Sequence, residues 1–200
     1  MRGRRGFMRS AAAFVAVAAL HHGPAVSLPL DDILFDPDAP LLGNPRGDVT
    51  IACFYDYQCG YCRRAYPMLL DALRRDPGLR LVMKDWPLFG PVSLRAARLA
   101  LGAVDLGRYG AVNAALLAGR GRMSDDSVDR ALRRAGVAPE AAWRSYLARS
   151  GQWDRLIQRN HAQADALGFR GTPSYVVGRA ILPGALDAQT LQDAIARARG

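Results

Sequence analysis

Two cysteines separated by two residues, Cys59-Gly60-Tyr61-Cys62, stand where a strand-favouring run over residues 49–57 gives way to a helical pattern. No other stretch constrains the fold as much. A cysteine at a helix N-terminus faces unpaired backbone N–H groups and the positive end of the helix dipole, and both stabilise a thiolate. Cys62 falls one turn further on, close enough to close a disulfide with Cys59. The pattern points to redox chemistry.

The flanking order narrows the fold. Residues 48–57 are apolar on both faces over much of their length, as in a central strand covered on both sides. The helix from the cysteines carries Ala65, Leu69, Ala72 and Leu73 on one side and a kinking Pro67, and Asp76-Pro77-Gly78 ends it. Residues 79–86 read as a second strand, so a parallel sheet is predicted. Residues 90–168 read as helices only. Ser93 and Ser124 are the predicted caps of two of them, and Trp143, Tyr146 and Leu147 form a core stripe on a third that starts at Pro139. A longer helix through Trp153, Ile157, Asn160, Ala164 and Leu167 stops at Gly168. Residues 174–178 and 180–182 form a predicted hairpin, and Asp187 caps a last helix. Residues 28–47, rich in Pro, Asp and Gly, read as an extended lead-in with turns. The expectation is one α/β domain over residues 48–200, with a helical insertion over about residues 90–168.

The first 27 residues read differently. A basic start, an apolar run over residues 11–20 and the small residues of Ala25-Val26-Ser27 make an export signal ending at Ser27. The apolar run is shorter than the ~20 residues of an ordinary membrane span, which favours cleavage over anchoring. Arg4-Arg5-Gly6-Phe7-Met8-Arg9 also looks like a twin-arginine motif, and paired arginines occur in ordinary signals too, so the export route stays open. The formal charge of +9 suggests nucleic acid, yet all but one of the 27 basic residues are arginines scattered among 18 acids. Arg2, Arg4, Arg5 and Arg9 leave with the signal. A solvated surface with no nucleic-acid partner is the reading.

The element order, with residues 48–62, Pro67 and residues 167–178 around Gly171-Thr172-Pro173, resembles the DsbA family of thioredoxin-like thiol-disulfide oxidoreductases over nearly the whole mature chain. The resemblance implies a thioredoxin-like fold with an inserted helical subdomain, and an exported, periplasmic or otherwise extracytoplasmic enzyme without cofactor. It implies that Cys59 and Cys62 are the catalytic pair, with Cys59 exchanging and Cys62, more buried, resolving. In such proteins the proline matching Pro173 is cis and packs beside the cysteines. Thr172 is then expected to offer main-chain hydrogen bonds to an extended substrate segment, and Gly60 and Tyr61 complete the substrate-binding surface. The implied partners are unfolded or newly exported chains containing cysteines, with recycling by a quinone-linked membrane partner of the DsbB type. Arg63 and Arg64 are expected to help acidify Cys59. Gly60-Tyr61 lacks the histidine found between the cysteines of the best-known strong oxidants, which leaves oxidase and reductase or isomerase both open.

Cys53 departs from the family pattern, because six residues before the first cysteine such proteins commonly have a buried acid. It reads either as a small apolar filler of a buried strand or as an accessory thiol able to pair with Cys62 and park the enzyme. No metal site is expected, since His161 is the one histidine outside the signal, and Arg63 stands where haem attachment needs histidine. Isomerases of this type usually carry an N-terminal oligomerisation region, and residues 28–47 are too few for one, so a monomer is expected. A non-catalytic, chaperone-like binding module of the same fold is the remaining alternative.

Overall fold

The computed structural model describes residues 29–200. The export signal expected over residues 1–27 lies outside the described residues. The elements in order are α1 (Leu30–Leu34), β1 (Leu41–Gly43), β2 (Val49–Tyr55), α2 (Gly60–Arg75), β3 (Leu79–Asp85), α3 (Pro91–Gly102) and α4 (Tyr109–Leu117). They continue with α5 (Asp125–Arg134), α6 (Pro139–Ala148), α7 (Ser150–Ala166), β4 (Ser174–Val177), β5 (Ala180–Pro183) and α8 (Ala188–Arg199).

The strands form one sheet in the order β1-β3-β2-β4-β5. Only the β2–β3 pair, joined through α2, is parallel; β1, β4 and β5 run antiparallel to their neighbours. The parallel sheet predicted from the first crossover is therefore mixed, because β1 enters antiparallel to β3 and β4 antiparallel to β2. This is a thioredoxin-like fold. Every residue of β2 is buried, which is why its sequence lacks an apolar–polar alternation. Its side chains still divide by face: Cys53 and Tyr55 join the core under α2, α3 and α4, whereas Ala52 and Phe54 pack with Ile33, Trp86 and Phe169 on the other side.

Residues 29–47 are not the extended lead-in expected of them. Asp36, just beyond α1, accepts from Lys84 Nζ of β3 at 2.7 Å and from Arg159 of α7 at 2.8 and 3.0 Å. Lys84 and Asp36 are fully buried, so this ion pair stitches the segment across the sheet, and β1 adds an edge strand beside β3. The pairing spans 48 residues, beyond the reach of local pattern reading.

Two further expectations change. Ser93 does not cap α3, which begins at Pro91; it lies inside the helix and donates from its hydroxyl to Asp56 at 2.7 Å. The stripe on α6 is only partly core: Tyr146 is buried, but Trp143 is 39% and Leu147 51% exposed. The caps at Ser124 and Asp187 form as read, the first as a reciprocal box with Ser127 and the second through Thr190 N at 2.7 Å.

Candidate active site

Beyond Tyr55 the chain leaves the sheet and turns through Asp56, Tyr57 and Gln58 into α2. The Asp56 carboxylate organises this turn. It accepts from the amides of Gln58 and Leu88, each at 2.6 Å, from the Phe89 amide at 3.1 Å and from the Ser93 hydroxyl. Gln58 extends the same tie, its side chain donating to Phe89 O at 2.9 Å and Ser93 Oγ at 3.0 Å. A buried carboxylate with four donors fixes the loop before Cys59 against the loop after β3.

Cys59 is the N-cap of α2, its sulfur accepting from the Cys62 amide at 3.5 Å. As a thiol it also donates to Thr172 O at 3.1 Å. The Thr172–Pro173 peptide bond is cis, and Pro173 is buried at the start of β4. The fold thus brings together residues 113 positions apart in the chain. Gly60 is exposed and Tyr61 is 60% exposed beside them. All three cysteines are free thiols. Cys59 and Cys62 have 5% and 3% of their surface exposed, and Cys53 lies beneath them on β2 in the same apolar cluster.

The two sulfurs of the pair are electrostatically unequal. The Cys62 thiol beside it lowers the Cys59 pKa to about 5 against the cost of burial, helped by the Thr172 side chain and the amides of Cys62 and Tyr61. Thr172 Oγ1 is buried and has no other hydrogen-bond partner among the described residues, so its hydroxyl is available to the thiolate. Cys62 moves the opposite way: burial pushes its thiol far up, and the adjacent Cys59 adds to this. Burial likewise pushes Cys53 up, which keeps it a neutral thiol. The arginines following the pair are engaged elsewhere. Arg63 donates to Tyr57 O at 2.8 Å and Gly121 O at 2.7 Å, and Arg64 stacks over the Tyr61 ring at 4.4 Å. Acidification of Cys59 comes from the helix terminus and the neighbouring thiol rather than from these cations.

Sequence reading missed a polar cluster on the same side of the sheet. Tyr55 OH donates to Asp85 Oδ1 at 2.9 Å and lies 2.9 Å from Tyr57 OH and 3.1 Å from Tyr109 OH. Asn113 Nδ2 reaches Tyr55 OH and Tyr57 OH at 3.0 Å each. Tyr109 and Asn113 belong to α4, whose N-cap Arg108 makes no side-chain cap hydrogen bond. Tyr55 and Tyr57 are in plain view beside the cysteines, but nothing local says that their hydroxyls meet an acid 30 residues on.

An arrangement of this kind can exchange disulfides. The Cys59 sulfur sits at the surface edge of a helix N-terminus, a buried partner thiol is one turn away, and a peptide backbone at Thr172 faces it. Comparison with known proteins agrees. The family model described as a DSBA-like thioredoxin domain matches residues 50–196. A thioredoxin-like oxidoreductase from Silicibacter pomeroyi is 42% identical, with 86% of this chain and 98% of that one superposed at a TM-score of 0.82. The thiol-disulfide exchange protein alpha-DsbA2 from Wolbachia pipientis is 25% identical over 84% of this chain and 90% of that one, at a TM-score of 0.78. A sequence match to the Na(+)/H(+) antiporter NhaA 3 of Salinispora tropica, 28% identical over 145 residues, takes in 71% of this chain. The chain spans only 22% of that protein's length. No helix among the described residues is long and apolar enough to cross a membrane.

Proposed function

Because the chain belongs to the family of DSBA-like thioredoxin domains and is a thiol-disulfide oxidoreductase, we propose that it is an oxidase that donates a Cys59–Cys62 disulfide to cysteine-containing protein chains. A substrate thiolate attacks Cys59 Sγ; the Cys59–Cys62 bond breaks, and its electron pair goes to the Cys62 sulfur, which takes up a proton. A second substrate thiolate then attacks the substrate sulfur of the mixed disulfide, and Cys59 leaves as a thiolate. The substrate gains a disulfide and the enzyme pair is reduced by two electrons. Thr172, beside the reacting sulfur, offers its backbone to the extended substrate segment, and Gly60, Tyr61 and Pro173 complete the contact surface.

The observation that carries this reading is the unequal pair. A Cys59 thiol at about 5 is ionised at neutral pH, which stabilises the reduced form and moves the pair towards oxidising power. Titrating the thiolate absorbance of the reduced protein is expected to give a midpoint near 5. The stability of the reduced form should follow. A thiol pKa lowered by folding adds stability that is fully present above the unfolded thiol's value, about 8.5, and is lost as pH falls through about 5. Thermal unfolding of the reduced protein from neutral to acid pH checks this.

The deciding measurement is the equilibrium of the pair with glutathione at neutral pH. A potential around −120 mV supports the oxidase, whereas one around −270 mV makes the protein a reductase. The second outcome has one observation in its favour, the absence of histidine from Gly60-Tyr61. The export signal read over residues 1–27 supports substrates newly delivered outside the cytoplasm, in the periplasm or an equivalent space, with recycling by a quinone-linked membrane partner of the DsbB type. Incorporation of residues 30–43 into the enzyme's own fold favours a monomer, because it leaves that segment unavailable as a separate oligomerisation region.

A further inference from the structure

Four arginines that are far apart in the sequence converge on a cavity that begins one helical turn from Cys59. Arg63 of α2, Arg120 of the loop after α4, and Arg130 and Arg134 of α5 line a space of about 170 Å³, to which the buried Leu116 and Met123 give an apolar wall. They meet because α2 packs against α4, and α4 against α5. Direct contacts tie the cavity to the cysteines. The Arg63 amide donates to Cys59 O at 3.1 Å, and Arg63 Nε donates to the main chain of Tyr57, two residues before Cys59. Its Nη1 donates to Gly121 O, which fixes the loop that carries Arg120. Nη2 has no protein partner among the described residues.

Arginines in the other grooves of the surface are neutralised by acids. Arg95 and Arg98, between α3 and α6, pair with Asp129 at 2.7 Å and Asp154 at 3.1 Å, and Arg199 of α8 pairs with Asp76 at 2.7 Å. No acid lines the Arg63 cavity, and none of its four arginines joins an ion pair among the described residues. The acids of α5 are turned away from it, since Asp125 and Asp129 face Arg95 of α3. Arg130 and Arg134 stand four apart on α5, a spacing at which like charges repel. An anion between them relieves that repulsion and meets planar guanidinium donors suited to a carboxylate. Size limits the anion. Pockets for small molecules begin at roughly 300 Å³, so this cavity suits one carboxylate-bearing side chain and is too small for a nucleotide.

We propose that the cavity is an anion subsite of the exchange site, and that it receives an acidic side chain which a substrate protein carries near the cysteine reacting at Cys59. The subsite rests on the disulfide-exchange reading of Cys59 and Cys62, and adds to it a class of substrate. An extended chain advances ~3.3 Å per residue, so an acid about two to four residues from the reacting cysteine spans the single turn between Cys59 and Arg63. Its carboxylate then meets Arg63 Nη2 and the exposed guanidiniums of Arg120, Arg130 and Arg134, while its methylenes lie against Leu116 and Met123. Cysteines in acidic surroundings are thereby exchanged faster than cysteines in neutral ones. The formal charge of +9 also draws acidic chains to the whole surface. A local subsite differs from that general attraction in depending on which arginines are present.

The test uses two reduced peptides of one sequence with a pair of cysteines, bearing either glutamate or glutamine about two to four residues to each side of the first cysteine. The rate at which each reduces the purified, oxidised protein is measured at one pH and low salt. The glutamate-to-glutamine rate ratio should be about tenfold higher for the wild type than for Arg130→Gln combined with Arg134→Gln. Both of these side chains are exposed, so the fold should tolerate their loss. The difference should vanish at ~1 M salt, where charges are screened beyond ~3 Å. Arg155→Gln combined with Arg197→Gln removes the same charge from exposed positions outside the cavity and should keep the wild-type ratio. Equal ratios in the wild type and the Arg130, Arg134 variant, or an equal fall in both double variants, would overturn the proposal. A wild-type protein that exchanges with neither peptide would instead overturn the disulfide-exchange reading itself.

Discussion

Cys59→Ala should abolish disulfide exchange in either direction while leaving the fold intact. In the proposed reaction both half-reactions pass through that sulfur: it is the atom attacked in oxidation of a substrate and the attacking atom in reduction. Cys62 cannot substitute, because burial holds its thiol protonated. Cys53 lies deeper on β2 and is neutral for the same reason. The structural cost is small. Alanine removes an N-cap acceptor at 3.5 Å, a loss of about 1 kcal/mol. Cys62→Ser separates the steps, since attack by Cys59 on a substrate disulfide survives but resolution by the second cysteine does not, and mixed disulfides with substrate should accumulate. The readouts are formation of disulfides in a reduced, unfolded test protein and non-reducing gels of the trapped complexes. A Cys59→Ala protein with undiminished function would favour the binding-module alternative, in which the thiols are incidental.

The parts of this molecule that were legible in its sequence are those encoded by neighbours. The Cys59 helix start, the Ser124 and Asp187 caps and the hairpin after Pro173 each depend on a few adjacent residues, and each is found in place. Ser93 shows how such reading fails. A serine before an apolar periodicity resembles a cap, yet Pro91 starts the helix a turn earlier and the hydroxyl is used by Asp56, 37 residues back. The same distance hides the rest. Asp56 stands inside the recognised stretch, but its function as a clamp needs the amides of Leu88 and Phe89. Asp85 looks like an acid ending a strand until α4 lays Tyr109 and Asn113 over Tyr55. Arg63 and Arg64 misled for the opposite reason: adjacency to a cysteine suggested electrostatic action, while their side chains turn to Gly121 and Tyr61.

The largest stability effect is expected at Asp36, far from the cysteines. Asp36→Ala leaves the Lys84 ammonium buried without its carboxylate partner, and removing one member of such a pair costs about 3–5 kcal/mol. That is a large share of the ~5–15 kcal/mol that holds a typical domain folded. Arg159 also loses both contacts to Asp36 but keeps Asp38 at 2.9 Å and access to water, so it contributes less to the loss. The damage should be mostly the unpaired charge rather than the lost attraction. Asp36→Ala combined with Lys84→Met, which replaces the ammonium by an apolar chain of similar length, should recover most of the stability. Urea unfolding of the two single variants and the double variant measures this coupling; additive losses would contradict it. The acid side gives an independent check. Burial raises the Asp36 pKa, but the hydrogen bonds from Arg159 and Lys84 outweigh it and hold the carboxyl below its usual range. Its contribution is therefore complete above the unfolded value of about 3.9 and is lost as pH falls through the depressed folded value. Wild-type stability should drop in that acid window, and the double variant, lacking the carboxylate, should lose correspondingly less there.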